Sequence, residues 1–263
     1  MKKDTTSRIR TDFVVVLGIV IAAIPASILL EVNFLTSIIL FFGLPSFYLL
    51  YRHEGEWKRI FTASSLFGIV YGFLLDYLAE LNNAWSWGAE EQLVFSYKIL
   101  GVVNVDVMIW FFFWIFFLVI FYEHFLDHDH WDNISNNIAY GIAAPGVLGL
   151  YVLVANIFYP PLLTFNNAYL MLGLMTLPFF LYAIYQKPTL MSKFSKAALF
   201  FVPTYLAYEI TALHLNLWEF PGEYISMVEI MGASFPLEEF LIWILLSSII
   251  VLSYYELFID DMR

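Results

Sequence analysis

The chain has 263 residues, of which 61% are hydrophobic and only 13% are charged, whereas soluble domains carry about 25% charged residues. This balance predicts an integral membrane protein, and the net charge of −11 disfavours nucleic acid as a partner. Cysteine is absent, which excludes disulfides and thiolate metal sites, and no GxGxxG or P-loop motif occurs, so we expect no cofactor.

Apolar runs long enough to cross a bilayer, at roughly 17 to 25 residues each, occur eight times along the chain. They predict an all-α membrane protein with transmembrane helices at residues 13–31, 34–51, 60–79, 106–122, 137–158, 167–185, 197–215 and 237–257. The first run is not followed by a clear small-residue cleavage site, so we expect it to be retained as a membrane segment.

Lysine and arginine predict how these helices lie in the membrane. All of them except Lys98 fall on one side of the predicted bundle, in the terminal segments and in the loops near residues 52–59 and 187–196. By the positive-inside rule, both termini are expected in the cytoplasm and the loops at 80–105 and 216–236 outside. The expected location is the cell membrane.

The second half of the chain resembles the first at an offset of 133 residues, without gaps from residue 45 to residue 123. The aligned pairs include Asp76 with Glu209, Asn83 with Asn216, Trp85 with Trp218, Asp106 with Glu239, Trp110 with Trp243, and Glu123 with Glu256. A register that retains rare tryptophans predicts two repeats of four helices each, at 1–130 and 131–263. Because four is even, both repeats are expected in the same orientation, related by an axis along the membrane normal.

Acidic side chains lie inside, or open, several of the predicted helices. Asp76 and Glu209 are deep in theirs, where an ionisable residue is a functional candidate by default. A neutral carboxylic acid that hydrogen-bonds a neighbouring helix is the structural alternative. Glu238 and Glu239 open the eighth helix in "SFPLEEFLIW" (234–243), and adjacent helical residues point about 100° apart. These two glutamates must therefore serve different directions.

The stretch "LHLNLWEFPGEYISMVEIMGASFPLEEFLIW" (213–243) resembles the lycopene cyclase domain of the small, flavin-free membrane carotenoid cyclases. The chain looks like the form in which two repeats are fused, so the resemblance covers essentially its whole length. The first repeat departs from the pattern: it reads "VNVDVMIW" and retains Asp106 without the proline or the paired glutamates. The resemblance implies an isomerase acting on a linear carotenoid in the bilayer, with other enzymes of carotenoid biosynthesis as candidate partners.

The implied reaction adds a proton to the terminal double bond, closes a ring through a tertiary cation and loses a neighbouring proton. We expect Glu239 to donate or accept the proton, Glu209 to be its partner, and Glu238 to contact a second acid or the N-x-W loop. The remaining catalytic candidates are Asp106 and Asp76. The residues expected to line the substrate are Trp218, Trp243, Asn216, Phe220, Trp85, Trp110 and Asn83. For the tryptophans, an ordinary membrane-interface position is the alternative.

Three other functions remain open at this point. A carotenoid hydratase would capture the same cation with water. A prenyltransferase would use "DYLAE" (76–80) to hold Mg²⁺ and diphosphate, although no lysine or arginine accompanies those acids. A small-solute transporter would explain an internal repeat with acids inside helices.

The segment "EHFLDHDHWD" (123–132) contains His124 and His128 one helical turn apart and His130 beyond them. These residue types suit Zn²⁺ or Fe²⁺. A polar cytoplasmic loop between the fourth and fifth helices is the alternative, and we assign no metal to it.

Overall fold

The computed structural model describes residues 2–52, 57–88, 90–95, 97–127, 133–260 and 262. This part of the chain is mostly helical. The long helices are α1 (Lys2–Leu29), α2 (Phe34–Arg52), α3 (Trp57–Leu81), α4 (Val105–Phe125), α5 (Ile138–Phe158), α6 (Ala168–Gln186), α7 (Leu190–His214) and α8 (Glu239–Phe258). Three π-helical segments interrupt α2, α3 and α8, at Ile39–Gly43, Ser64–Tyr71 and Glu239–Leu246, and short 3₁₀ turns occupy Glu90–Gln92 and Pro160–Leu163.

Seven of these helices are long and apolar enough to cross a membrane, α1 qualifying over Arg8–Leu29. The helices indicate a multi-pass membrane protein. Eight long helices are present in the described part of the chain, and seven of the eight predicted transmembrane segments are candidate spans. The exception is the predicted transmembrane helix at 197–215, because α7 is less apolar than these seven helices. Its buried face carries Thr204, Glu209 and Thr211, which lie inside the bundle and not against lipid.

The helices divide into an inner and an outer group. Within their apolar stretches, 72% of the residues of α4 and of α8 are buried, against 22% in α5 and 28% in α1 and α6. Helix α3 approaches α4 closely at Gly68, where an added Cβ would lie 2.8 Å from the Phe112 Cα, so a larger residue would separate the two helices. The inner helices α4 and α8 therefore provide rigid walls for a site between them.

Three antiparallel two-stranded ribbons cover one end of the bundle. β1 (Ser86–Trp87) pairs with β4 (Trp218–Glu219) and joins the two N-x-W loops. β2 (Lys98–Ile99) pairs with β3 (Val103–Asn104) just before α4, and β5 (Met227–Ile230) pairs with β6 (Ala233–Pro236) just before α8. The turn of each hairpin contains two consecutive residues of positive φ, the second being glycine, which adopts this conformation without steric cost.

Ion pairs gather at the opposite end of the bundle. Arg59 contacts Asp260 at 2.5 Å, and Lys193 contacts Asp127 at 3.2 Å. At the same end, Arg52 and His124 both contact Asp12, at 2.8 and 3.1 Å. The His124 ring thus has an acidic partner from α1, whereas His128 and His130 lie outside the described residues.

Candidate active site

In each N-x-W motif, the tryptophan indole N–H donates a hydrogen bond to an acidic residue of the helix that precedes the motif. Trp85 Nε1 donates to Asp76 Oδ1 at 2.8 Å, and Trp218 Nε1 donates to Glu209 Oε1 at 3.0 Å. The asparagines, Asn83 and Asn216, adopt left-handed backbone conformations with φ of 51° and 54°. Asparagine tolerates this conformation better than most residues, so it reverses the chain at the end of the helix and returns the tryptophan to the acid.

The two N-x-W loops also close over each other. Ser86 pairs with Glu219, and its Oγ donates to Glu219 Oε1 at 3.0 Å. Gly88 is required here, because a Cβ at that position would lie 1.9 Å from the Asn216 carbonyl oxygen. Tyr224 Oη donates to the Ala84 carbonyl at 2.9 Å. Burial raises the pKa of Tyr224 to about 12, which keeps this donor protonated at neutral pH. The loops form a cover over the bundle.

The side chains of Glu238 and Glu239 point in different directions, as predicted. Glu238 Oε1 accepts the backbone N–H of Ile225 at 2.8 Å, which fastens the loop before β5 to the start of α8. Glu239 instead accepts a hydrogen bond from the Tyr169 hydroxyl of α6. Both side chains are buried, at 2% and 9% exposure. The opening turns of α8 are π-helical over Glu239–Leu246, a wider turn often found at functional sites.

Asp106 accepts hydrogen bonds from a loop backbone, as Glu238 does, and in this it differs from Glu239. Its two carboxylate oxygens accept the backbone N–H groups of Val94 at 3.2 Å and Phe95 at 2.9 Å, which fastens the loop before β2 to the start of α4. The offset of 133 residues aligns Asp106 with Glu239, so the sequence alignment and the contacts differ here by one residue. The π-helical start of α8 accounts for the difference, because it contains more residues per turn than the regular helix α4.

Two of the acids line one chamber in the middle of the bundle. Glu209 and Glu239 face a cavity of about 70 Å³ whose walls are otherwise aromatic and aliphatic. At roughly 10–15 Å³ for each water-sized group, this space accepts the end of a hydrocarbon chain and not a whole carotenoid. The other lining residues are Phe42, Leu75, Trp85, Trp87, Trp110, Phe111, Trp114, Tyr169, Tyr205, Tyr208, Trp218, Phe220, Trp243 and Ile244.

Some of the site residues predicted from the sequence line the chamber, and others do not. Glu209, Glu239, Phe220 and the four expected tryptophans meet in the chamber. Asp76, Asp106 and Glu238 do not line it, because each is turned toward an indole or a loop backbone. Asn83 and Asn216 do not line it either, since both are needed for the left-handed turns. Glu238 contacts the loop that follows the N-x-W motif, and not a second acid.

The aromatic rings in the chamber pack against one another around the two acids. Trp85 is perpendicular to Tyr169, with ring centres 5.5 Å apart, and lies 6.4 Å from Trp243. On the other side Trp110 lies 6.1 Å from Trp218. Desolvated aromatic faces each stabilise a cation by about 2 kcal/mol. The chamber therefore combines two proton-carrying groups with walls that tolerate positive charge.

A larger apolar cavity of about 340 Å³ adjoins the chamber, and both are lined by Leu75, Phe111, Trp114 and Trp243. Its hydroxyl groups are largely occupied: Tyr71 donates to the Gly141 carbonyl at 3.0 Å and Tyr254 to the Thr176 carbonyl at 3.3 Å. The lining also includes Leu148 of α5 and Met175 of α6, which are 36% and 61% exposed. The cavity thus reaches the outer face of the bundle between these helices.

Sequence reasoning missed Tyr169, the partner of Glu239. A single tyrosine in an apolar segment carries no signal, and position 36 in the first repeat, which the offset aligns with Tyr169, is a threonine. Tyr205 and Tyr208 were missed for the same reason, because an aromatic residue on a buried helix face looks like core. A comparison of the chain with protein-family models, curated proteins and solved structures finds no match.

Proposed function

We propose that the protein is a carotenoid cyclase, which closes a ring at the end of a linear carotenoid by acid–base isomerisation without a cofactor. One observation supports this most strongly: Glu209 and Glu239 line a single aromatic chamber that continues into a long apolar cavity. Proton donors and acceptors surrounded by hydrocarbon and aromatic rings suit a substrate that is itself a hydrocarbon.

The reaction needs one proton to enter and one to leave. A carboxylic acid adds its proton to the terminal C=C bond of the substrate, and the positive charge forms on the tertiary carbon. An internal C=C bond attacks that carbon, which closes a six-membered ring and moves the charge to a ring carbon. A carboxylate then removes a neighbouring proton, and a new C=C bond forms. Atoms and electrons balance without an oxidant or a reductant.

We assign the two proton transfers to Glu239 and Glu209. Glu239 adds the proton, because its carboxyl group is buried and the Tyr169 hydroxyl holds it at the chamber wall. Glu209 removes the proton, because the Trp218 N–H bond favours its ionised form and orients it. Trp85, Trp110 and Trp243 then face the cation between the two acids. The paired N-x-W loops exclude water from the chamber while the cation is present.

The substrate enters from the membrane in this proposal. The larger cavity opens between α5 and α6, where Leu148 and Met175 are exposed on the lipid-facing side. A linear carotenoid placed there would lay its polyene along Leu75 and Phe111 and extend its end group past Trp243 into the chamber. Neither terminus of such a substrate has to cross water.

The alternatives gain less support. Of the described residues lining the chamber and the larger cavity, none is lysine or arginine, and a diphosphate would need such partners. This disfavours a prenyltransferase, as does the bond of Asp76 to Trp85. A transporter would need a polar path to the opposite end, yet the cavity that adjoins the chamber is apolar. A hydratase would use the same acids and differ only in admitting water to the cation.

We also infer that the chain consists of two related halves of one orientation, with both termini in the cytoplasm. Reciprocal contacts support this: Tyr122 of the first half donates to Glu256 of the second, and Tyr255 of the second donates to Glu123 of the first. Both contacts join residues that the offset of 133 interchanges. The aromatic chamber contains acids from α7 and α8, so we place catalysis beside these helices.

Expression in cells that accumulate lycopene tests the proposed activity. A new pigment with the mass of lycopene, one C=C bond fewer for each ring closed and a shorter absorption wavelength is the expected product. A product heavier by one water would identify a hydratase. Unchanged lycopene, in cells whose membranes contain the folded protein, would count against cyclisation of this substrate.

A further inference from the structure

The end of the bundle far from the chamber contains three buried carboxylates that point toward one another. Asp127 follows α4, Glu256 lies in the last turns of α8 and Asp260 follows it. One oxygen from each lies within 4.8 Å of the others, and the three side chains are at most 4% exposed. At 1.5 Å per residue, Glu256 is about 25 Å along α8 from Glu239, so this cluster is separate from the proposed active site.

We propose that Asp127, Glu256 and Asp260 bind a divalent cation that prefers oxygen ligands. The cation would hold the end of α4 to the end of α8 and so join the two halves of the chain. Neither the sequence motifs nor the proposed cyclase activity requires this site.

Both acidic and basic side chains lie beside the cluster. Glu123 lies beside the three carboxylates, and the nearby cations are Arg59 and Lys193, which contact Glu123, Asp260 and Asp127. Among the described residues that these contacts join, acids outnumber cations. Uncompensated charge in a buried site costs several kcal/mol per ion, so a bound cation would stabilise the ionised carboxylates.

One oxygen atom favours the cation. Tyr122 donates to Glu256 Oε1, but Oε2 of the same carboxyl group has no hydrogen-bond partner among the described residues. The Glu256 side chain is fully buried, and a carboxylate oxygen rarely stays unsatisfied there. The Glu256 carboxyl group lies within 4.8 Å of the Asp127 and Asp260 carboxylates, which repel its ionised form unless a positive charge lies between them.

The donor set selects the metal. Carboxylate oxygens alone suit Mg²⁺, Ca²⁺ or Mn²⁺, whereas Zn²⁺ and Fe²⁺ sites usually include histidine or cysteine. The one described histidine of the 123–132 segment, His124, bonds to Asp12 and not to the cluster. The cluster therefore differs from the histidine site that the sequence suggested for Zn²⁺ or Fe²⁺.

Direct binding of Mn²⁺ tests the proposal. The full chain in lipid nanodiscs is treated with chelator, exchanged into metal-free buffer and titrated with Mn²⁺, with free Mn²⁺ followed by electron paramagnetic resonance. We expect one saturable site per chain, displaced by Mg²⁺ or Ca²⁺. Failure of the wild-type protein to bind Mn²⁺ would overturn the proposal and leave protons as the balancing charges.

Two variants locate the site. Glu256→Gln and Asp260→Asn should each weaken Mn²⁺ binding at least tenfold, and divalent cations should no longer raise the melting temperature. The matched control is Glu229→Gln, which removes one carboxylate from the exposed outer hairpin and should bind like wild type. If both cluster variants bind Mn²⁺ normally, the site is elsewhere and the proposal is wrong. Cyclase activity is not used as a readout, so this result is independent of the proposed function.

Discussion

Glu239→Gln separates the chemical role of Glu239 from its structural role. Glutamine has the same number of side-chain heavy atoms and can still accept a hydrogen bond from Tyr169, so the packing is retained. Exchanging a charged for a neutral hydrogen bond reduces stability by about 1 kcal/mol. Removing a general acid lowers the rate by about 10²–10⁴, which corresponds to roughly 2.7–5.5 kcal/mol of barrier. The expected variant is therefore folded, inserted and nearly inactive.

The assay measures pigment conversion per unit of folded protein in the membrane, with folding followed by thermal unfolding in detergent. The matched control is Glu238→Gln, one residue away, which weakens the bond to the Ile225 N–H and should reduce stability by about 1 kcal/mol with conversion unchanged. Wild-type conversion by Glu239→Gln would remove Glu239 from the mechanism. Equal loss of conversion in both variants would indicate a structural effect of either glutamate.

Three further changes test neighbouring parts of the structure. Asp106→Asn should lower the melting temperature through about 1 kcal/mol of weakened loop hydrogen bonds and leave conversion per folded protein unchanged; a strong loss of turnover would return Asp106 to the catalytic group. Gly88→Ala should destabilise the paired loops by about 1–3 kcal/mol, seen as loss of folded protein, and unaltered stability would show that the loops do not meet as described. Leu148→Trp should fill the larger cavity and raise the apparent KM for a full-length carotenoid without affecting stability, whereas unchanged kinetics would place the substrate elsewhere.

Much of the fold can be predicted from sequence because lipid requires long apolar helices with internally satisfied backbones. Seven of the eight expected segments satisfy this rule in the structure. The exception, α7, shows its limit: Glu209 and Thr211 lower hydropathy, yet they lie inside the bundle where no lipid reaches them. Hydropathy reports composition, and it does not distinguish a helix inside a bundle from a helix at its edge.

The site was less predictable than the fold because it depends on where each side chain points as well as on residue type. The sequence indicated two acids at the start of α8 but could not say which one faces the chamber. The contacts of the two side chains with Tyr169 and Ile225 make that distinction, and no residue pattern predicts the π-helical segment that begins at Glu239. The N-x-W motif could be recognised in the sequence, but the different roles of its residues could not. The tryptophan donates a hydrogen bond to the acid, whereas the asparagine forms the turn.

Solvent deuterium tests the central claim most directly. Purified protein in lipid is given lycopene in D₂O, and the product is analysed by mass spectrometry. Because the proton added to the terminal double bond comes from an exchangeable carboxylic acid, each ring closed should carry one deuterium on carbon, and Glu239→Gln should abolish its incorporation. A cyclic product without deuterium would contradict acid–base catalysis by these glutamates.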